Sequence, residues 1–335
     1  MTAAVEMRGV RKTFGKKVAV EGIDLAVPEG ELVGFIGPNG AGKSTTIRMI
    51  MSILFPDSGE LSVLGRKSAI ESKDRIGYLP EERGVYKKMK VGRFLRYMGR
   101  LKGVSGPGLG KRVDDWLERV DLGDVRNKKC EELSKGMQQK VQFIGCVLHE
   151  PDLLILDEPF SGLDPVNMRL LRDLIREQHE AGRTVIFSTH VMVQAEQLCD
   201  HIMMIHNGRK VLDDPLTTIR SRYEPRAVRF EPIDPAWNGG ASVADTLAAM
   251  PEIASVTTVD GQLEARLADG ADPGRTIAAM TAAIPMARVE LHRPTLEDIF
   301  IEIVQESVAD EEERARLRAQ LRADAAAKAG EGVTA

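Results

Sequence analysis

Residues 37–45 read GPNGAGKST, and the spacing of Gly37, Gly42, Lys43 and Ser44 is that of a phosphate-binding loop. The flanking residues agree. ELVGFIG (31–37) is an apolar run that reads as a buried strand, and STTIRMIMSIL (44–54) sets Ile47, Ile50, Met51 and Leu54 on one helical face. Strand, glycine-rich turn and helix thus follow in the order such a loop requires. Glycines let the backbone come close enough for its N–H groups to bond phosphate oxygens, Lys43 neutralises the β- and γ-phosphates, and the Ser44 hydroxyl holds Mg2+. Pro38, Asn39, Gly40, Ala41 and Thr45 complete the wrap.

Working outward, Val5–Val10 and Val18–Val27 read as short strands near the start. DLLILDEP (152–159) and TVIFSTH (184–190) are buried apolar runs, with a helical stretch from Met168 to Glu180 between them. That alternation predicts an α/β fold with a mostly parallel sheet flanked by helices. From Gly92 to Glu132 there is no strand pattern, and the helical stretches GRFLRYMGRLKG and KRVDDWLERV are split by VSGPGLG, which predicts an inserted helical lobe over about 85–145. Composition shifts between Pro215 and Pro225. Beyond it RAVRFEP, SVTTVDG, QLEARLADG and ARVELHRP read as strands, and GRTIAAMTAAI and TLEDIFIEIVQE as helices. The expected organisation is a nucleotide-binding domain over 1–220, a small α+β domain over 221–306 and a charged helical or disordered tail over 307–335. Glu312 with Arg316 and Asp324 with Lys328 are spaced to support a solvated helix in that tail.

Composition sets bounds on function. The 335 residues are 43% hydrophobic and 29% charged with a net charge of −4, so a sizeable core forms and no basic footprint points to nucleic acid. Arg11, Lys12, Lys16 and Lys17 form the densest early basic cluster and read as a solvated turn. Cys130, Cys146 and Cys199 have neither disulfide nor metal-ligand spacing, which suits a reducing compartment. No run of about 18 apolar residues occurs, so any membrane role must pass through a partner.

Three further places carry chemistry. Asp157, ending the LLILD run, can reach Mg2+, and Glu158 beside it can polarise the water that attacks a γ-phosphate. Alone, such an Asp-Glu pair caps helices more often than it catalyses; the phosphate loop reverses that weighting. His190 ends TVIFSTH, where parallel strands deliver ligand-facing residues, and can bond the γ-phosphate. LSKGMQQK (133–140) looks like a helix N-terminus whose open N–H groups attract an anion in front of Ser134.

Together these motifs resemble the nucleotide-binding subunit of an ATP-binding cassette (ABC) transporter over about residues 3–220. The resemblance implies that Phe14 stacks on adenine, that GPNGAGKST is the Walker A loop and LLILDEP the Walker B strand, that SGLD (161–164) is the D-loop, and that His190 is the switch histidine. LSKGMQQK stands at the family signature, so Ser134, Lys135 and Gly136 would meet the ATP held by a second copy of the chain, head to tail. Two places depart from the usual pattern: Glu81 in IGYLPEERGVY stands where Gln is common, and the signature reads Ser134-Lys135-Gly136-Met137-Gln138 where the common form has a second Gly and a Gln. Both variants, and the HRPTLEDIF stretch of the second domain, resemble the branch of sodium-extrusion and drug-resistance exporters. By this resemblance Glu81 contacts Mg2+ or water, the partners are an integral membrane permease and a second copy, the cofactors are ATP and Mg2+, and the subunit sits on the cytoplasmic face of the membrane. Tyr86, Val91, Phe94, Leu95, Met98 and Leu101 are candidates for the surface that receives a permease helix. The alternatives are a soluble cassette ATPase acting on ribosomes or DNA, and a GTPase or nucleoside kinase. One phosphate loop without sustained heptads weighs against the former, and the missing Asn-Lys-x-Asp motif weighs against the latter.

Overall fold

The computed structural model describes residues 2–82, 84–223, 227–234, 242–259 and 262–307. The charged tail with its Glu312–Arg316 and Asp324–Lys328 pairs lies outside the described residues.

The chain opens with a long antiparallel hairpin of β1 (Ala3–Phe14) and β2 (Lys17–Pro28). Then β3 (Leu32–Ile36), buried at all five residues, runs through the glycine-rich turn into α1 (Lys43–Ile50). The apolar stretch to residue 54 had suggested a longer helix, but α1 ends a turn earlier. Ser52 adopts φ 54°, and the amides of Ile53 and Leu54 both return to the Arg48 carbonyl, a left-handed C-terminal stop with Pro56 close behind. Met51 and Leu54 still pack against the core from outside the helix. β4 (Ser58–Val63) returns to pair with β1, which completes a three-stranded antiparallel sheet of order β2-β1-β4.

After β5 (Ile76–Leu79) come the lobe helices α2 (Val91–Leu101), α3 (Gly108–Arg119) and α4 (Lys135–Val147). Their apolar faces meet: Phe94 and Leu95, Val113 and Leu117, Phe143 and Ile144 are buried, and the Trp116 ring stands edge-on to Phe143 at 6.5 Å. The remaining elements of the cassette are β6 (Leu153–Asp157), α5 (Pro165–Glu180), β7 (Thr184–Thr189), α6 (Met192–Leu198), β8 (His201–His206), β9 (Arg209–Pro215) and α7 (Leu216–Arg222). The six-stranded sheet has the order β5-β6-β7-β3-β8-β9, parallel except for β9. Its central strands are apolar on both faces because helices and the antiparallel sheet leave neither face to water. The carboxyl ends of β3, β6 and β7 lie side by side, and they deliver the phosphate loop, Asp157 and Thr189 to one edge of the sheet.

Two compact units result, Met1–Leu216 with Phe300–Ala335, and Thr217–Ile299. Composition had placed the divisions after 220 and 306. The second unit contains β10 (Ala227–Pro232), α8 (Val243–Ala248), β11 (Ile253–Val259), β12 (Gln262–Leu267), α9 (Pro273–Ala283) and β13 (Met286–His292). Its antiparallel sheet has the order β11-β12-β10-β13, a split β-α-β arrangement around Val228, Phe230, Ala265 and Met280. The closing helix α10 (Leu296–Ser307) spans the second division. Among the described residues no helix is long and apolar enough to cross a membrane.

Truncating Phe143 to Ala opens a void beneath Trp116, and the expected loss is about 3–5 kcal/mol of unfolding free energy. Urea titration followed by tryptophan emission reads it as a lower midpoint; an unchanged midpoint would separate the lobe from the cooperative unit.

Candidate active site

The turn between β3 and α1 passes very close to two other backbones. A side chain at Gly37, where φ is 153°, would put Cβ 2.1 Å from the Ile205 carbonyl oxygen, and one at Gly42, where φ is 112°, would put it 2.5 Å from that of Ala19. Only glycine fits either position. No side chain caps α1, so amides of its first turn are left for an anion. Lys43 is buried, and its Nζ donates to the carbonyls of Gly37 at 2.6 Å and Pro38 at 3.2 Å, which folds the ammonium back along the loop. Ala41 lies beneath, its carbonyl accepting the Gly208 amide at 2.8 Å.

In front of this loop is a cleft of about 290 Å3 lined by Phe14, Asn39, Gly40, Gly42, Lys43, Ser44, Thr45, Glu81 and Glu158. Residues expected from distant parts of the sequence therefore share one cavity. Phe14, at the end of β1, is 49% exposed, with the Lys12 ammonium 5.8 Å from its ring centre. Lys17 and Ala19 also line the cleft. Lys17 is exposed beside the turn, as the sequence suggested, and its i, i+2 spacing with Ala19 along β2 puts both on one side of the strand.

Asp157 is 2% exposed at the end of β6, and among the described residues its Oδ1 atom has no hydrogen-bond partner. Burial pushes its pKa up; the charges of Glu158 and Glu81 add to this, while the Ser188 and Ser44 hydroxyls pull the other way. The Ser188 hydroxyl supplies proximity rather than a bond, since its Oγ is also unpartnered. A buried, orphaned carboxylate oxygen near two more acids and the Ser44 hydroxyl fits a cation. Among the described residues no three His, Cys, Asp or Glu side chains form a metal cage. Mg2+ commonly takes one or two carboxylates and completes its shell with phosphate oxygens and water, a set that Asp157 and Ser44 could begin.

Glu158 follows in a left-handed conformation, φ 49°, and is 8% exposed. Its Oε1 accepts the His190 backbone N–H at 2.9 Å and lies 2.5 Å from the His190 Nδ1, while Oε2 accepts the Thr189 hydroxyl at 3.2 Å. The His190 imidazole is therefore engaged with the carboxylate and does not line the cleft. Thr189 was not anticipated; its place next to His190 at a strand end was the only hint.

Ser134 caps α4, its Oγ accepting the Met137 amide at 3.3 Å. Ser134 and Lys135 are exposed, Gly136 is half-buried, and none of the three lines the chain's own cleft. A Cβ on Gly136 would sit 3.1 Å from the Asn167 amide nitrogen, on the helix that Asp164 of the SGLD turn caps. Gln139 Nε2 donates to the Pro159 carbonyl at 2.9 Å, which ties α4 to the turn after Glu158. The proposed permease surface needs correction: Val91, Phe94 and Leu95 are core, because α2 buries its apolar stripe in the lobe. Tyr86 and Leu101 remain exposed, and Tyr86 stands edge-on to Phe94 and to the exposed Tyr97.

Fold and cleft define a phosphate-loop ATPase with the cassette architecture. Residues 20–161 match the ABC transporter family, and residues 215–304 match the C-terminal domain of DrrA1-3-like ATP-binding proteins. The chain is 41% identical over 304 residues to the uncharacterized ABC transporter ATP-binding protein YhaQ of Bacillus subtilis, covering 88% of this chain and 96% of that one. It is 32% identical to the Nod factor export ATP-binding protein I of Burkholderia lata (92% and 99% covered) and 35% identical to the linearmycin resistance ATP-binding protein LnrL of Bacillus subtilis (65% and 71%). A solved structure of an ATP-binding subunit of an ABC transporter superposes with a TM-score of 0.61 at 32% identity, covering 66% of this chain and 93% of that one. The chain belongs to the ATP-binding subunits of ABC transporters, a family that hydrolyses ATP and partners with membrane permeases.

Because burial raises the Asp157 pKa, its ionised form costs the fold stability in full above that raised value, and the cost shrinks as the pH falls from there towards the ordinary carboxylate range, where it disappears. Asp157→Asn is expected to raise the melting temperature of the nucleotide-free protein near pH 8, with the difference closing on acidification, and to abolish Mg2+-dependent hydrolysis. Equal melting curves at pH 8 would contradict the charge penalty.

Proposed function

We propose that two copies of this subunit close head to tail around ATP and Mg2+, and that this cycle drives a permease that exports its substrate from the cytoplasmic face of the membrane. The observation that carries the reading is the placement of Ser134, Lys135 and Gly136. They form a helix N-terminus that is absent from the cleft of their own chain, whereas Phe14, the phosphate loop, Glu81 and Glu158 all line that cleft. A helix end with open amides and no anion of its own is suited to the phosphate of a neighbour.

Within each site the loop amides hold the phosphate oxygens, Lys43 offsets their charge, and Phe14 offers a ring to adenine. Mg2+, held by Ser44 and Asp157 with Glu81 nearby, would supply charge neutralisation on the phosphates. Glu158 orients the attacking water and accepts its proton as the bond from the γ-phosphorus to the leaving oxygen breaks. His190 holds that carboxylate through Nδ1 and leaves its other ring nitrogen for the γ-phosphate. Export is supported by relatives named for Nod factor export and linearmycin resistance.

Glu158→Gln keeps the shape of the side chain and removes its basicity. Hydrolysis is expected to slow on the order of a hundredfold or more, with ATP binding intact. Size-exclusion chromatography with Mg-ATP should then show a dimer, and a persistent monomer would sink head-to-tail closure. Lys43→Ala abolishes tight ATP binding and Ser134→Arg blocks the partner's site, so each alone should be inactive. Mixing them should restore one complete site per heterodimer, seen as recovered ATP turnover; no recovery would count against a shared site.

A further inference from the structure

The Glu158 carboxylate is held unevenly. Oε1 faces two donors, the His190 amide at 2.9 Å and Nδ1 at 2.5 Å, whereas among the described residues Oε2 takes only the Thr189 hydroxyl at 3.2 Å. Oε2 is thus the oxygen with a lone pair left for water. Held at Oε1 alone, the group could pivot on its stem; the Thr189 contact removes that freedom. Thr189 is fully buried, and its Oγ1 also accepts the Val191 amide at 3.1 Å. Its single hydrogen has two oxygens within reach, Glu158 Oε2 and Gln194 Oε1 at 3.1 Å. A hydroxyl gives its hydrogen to the charged acceptor in preference to a neutral one. A half-turn of the Gln194 amide then presents its NH2 to Thr189, which accepts twice, donates once and leaves no conflict.

We infer that Thr189, set by Gln194, is a positioning residue for ATP hydrolysis, whose hydroxyl aims Oε2 of Glu158 at the attacking water. This rests on the role given to Glu158 above. Gln194 lies on α6 and Thr189 ends β7, so the strap ties the carboxylate to an element outside the phosphate loop and the Asp157 strand.

The test is steady-state hydrolysis by the full chain, with ATP binding measured separately. Thr189→Val keeps the shape and removes the hydrogen; kcat should fall about tenfold with ATP affinity unchanged. Thr189→Ser, which keeps the hydroxyl, should recover most of that loss. Added to Glu158→Gln, Thr189→Val should slow hydrolysis no further, because the oxygen it aims no longer acts as a base. Equal losses in the Val and Ser variants, a matching fall in ATP affinity, or an undiminished effect in the Glu158→Gln background would overturn the inference. Should Thr189→Val fail to fold, Gln194→Leu reads the same strap: a drop in kcat alone supports it and an unchanged kcat overturns it. Parental turnover in Glu158→Gln itself would instead remove the assignment of Glu158, and the inference with it.

Discussion

The cassette depends on the passage of the β3–α1 turn between two other backbones. At Gly37 and Gly42 even a methyl group would overlap the carbonyl oxygens of Ile205 and Ala19. One contact lies on the parallel sheet and the other on the antiparallel sheet, so a single loop sets where both meet. The Gly208 amide bonds the Ala41 carbonyl, and the Glu21 amide bonds that of Gly208, which closes a chain of backbone contacts around the loop. Phosphate binding needs the same bareness, because amides approach oxygens only where no side chain stands in the way. The architecture and the chemistry thus share one requirement.

A second tension sits at the ends of β6 and β7. Asp157 is buried with an unpaired oxygen, and Glu158 takes a left-handed backbone that costs a non-glycine residue on the order of 1 kcal/mol or more. Hydrogen bonds to a charged group are worth about 1.5–3 kcal/mol each, so those from Thr189 and His190 offset that strain. Among the described residues the Asp157 Oδ1 atom has no such hydrogen-bond partner. The unsatisfied acid, Asp157, thus suits the cation proposed for it, and the satisfied one, Glu158, suits the proton transfer proposed for it.

The second unit shows how far a periodic pattern carries. Its four strands and the helices over 273–283 and 296–307 were legible because alternation and helical spacing are local properties. The short helix Val243–Ala248 was missed, since six residues give too few turns for a period to emerge. The strand order β11-β12-β10-β13 was not legible, because it depends on which edges meet after collapse.

In the cassette, sequence alone determined the phosphate loop, the two acids after LLIL, the histidine after TVIFST and the mostly parallel sheet, because each depends on residue type at fixed local spacing. Tertiary structure decided what no spacing encodes. It brought Lys17 and Ala19 into the cleft, ended α1 at Ile50, turned Val91, Phe94 and Leu95 into core, and set Thr189 against Glu158. The reason is physical: a local motif specifies the groups a residue offers, whereas the partner that meets them comes from strands far away in sequence, through packing that only the folded chain defines.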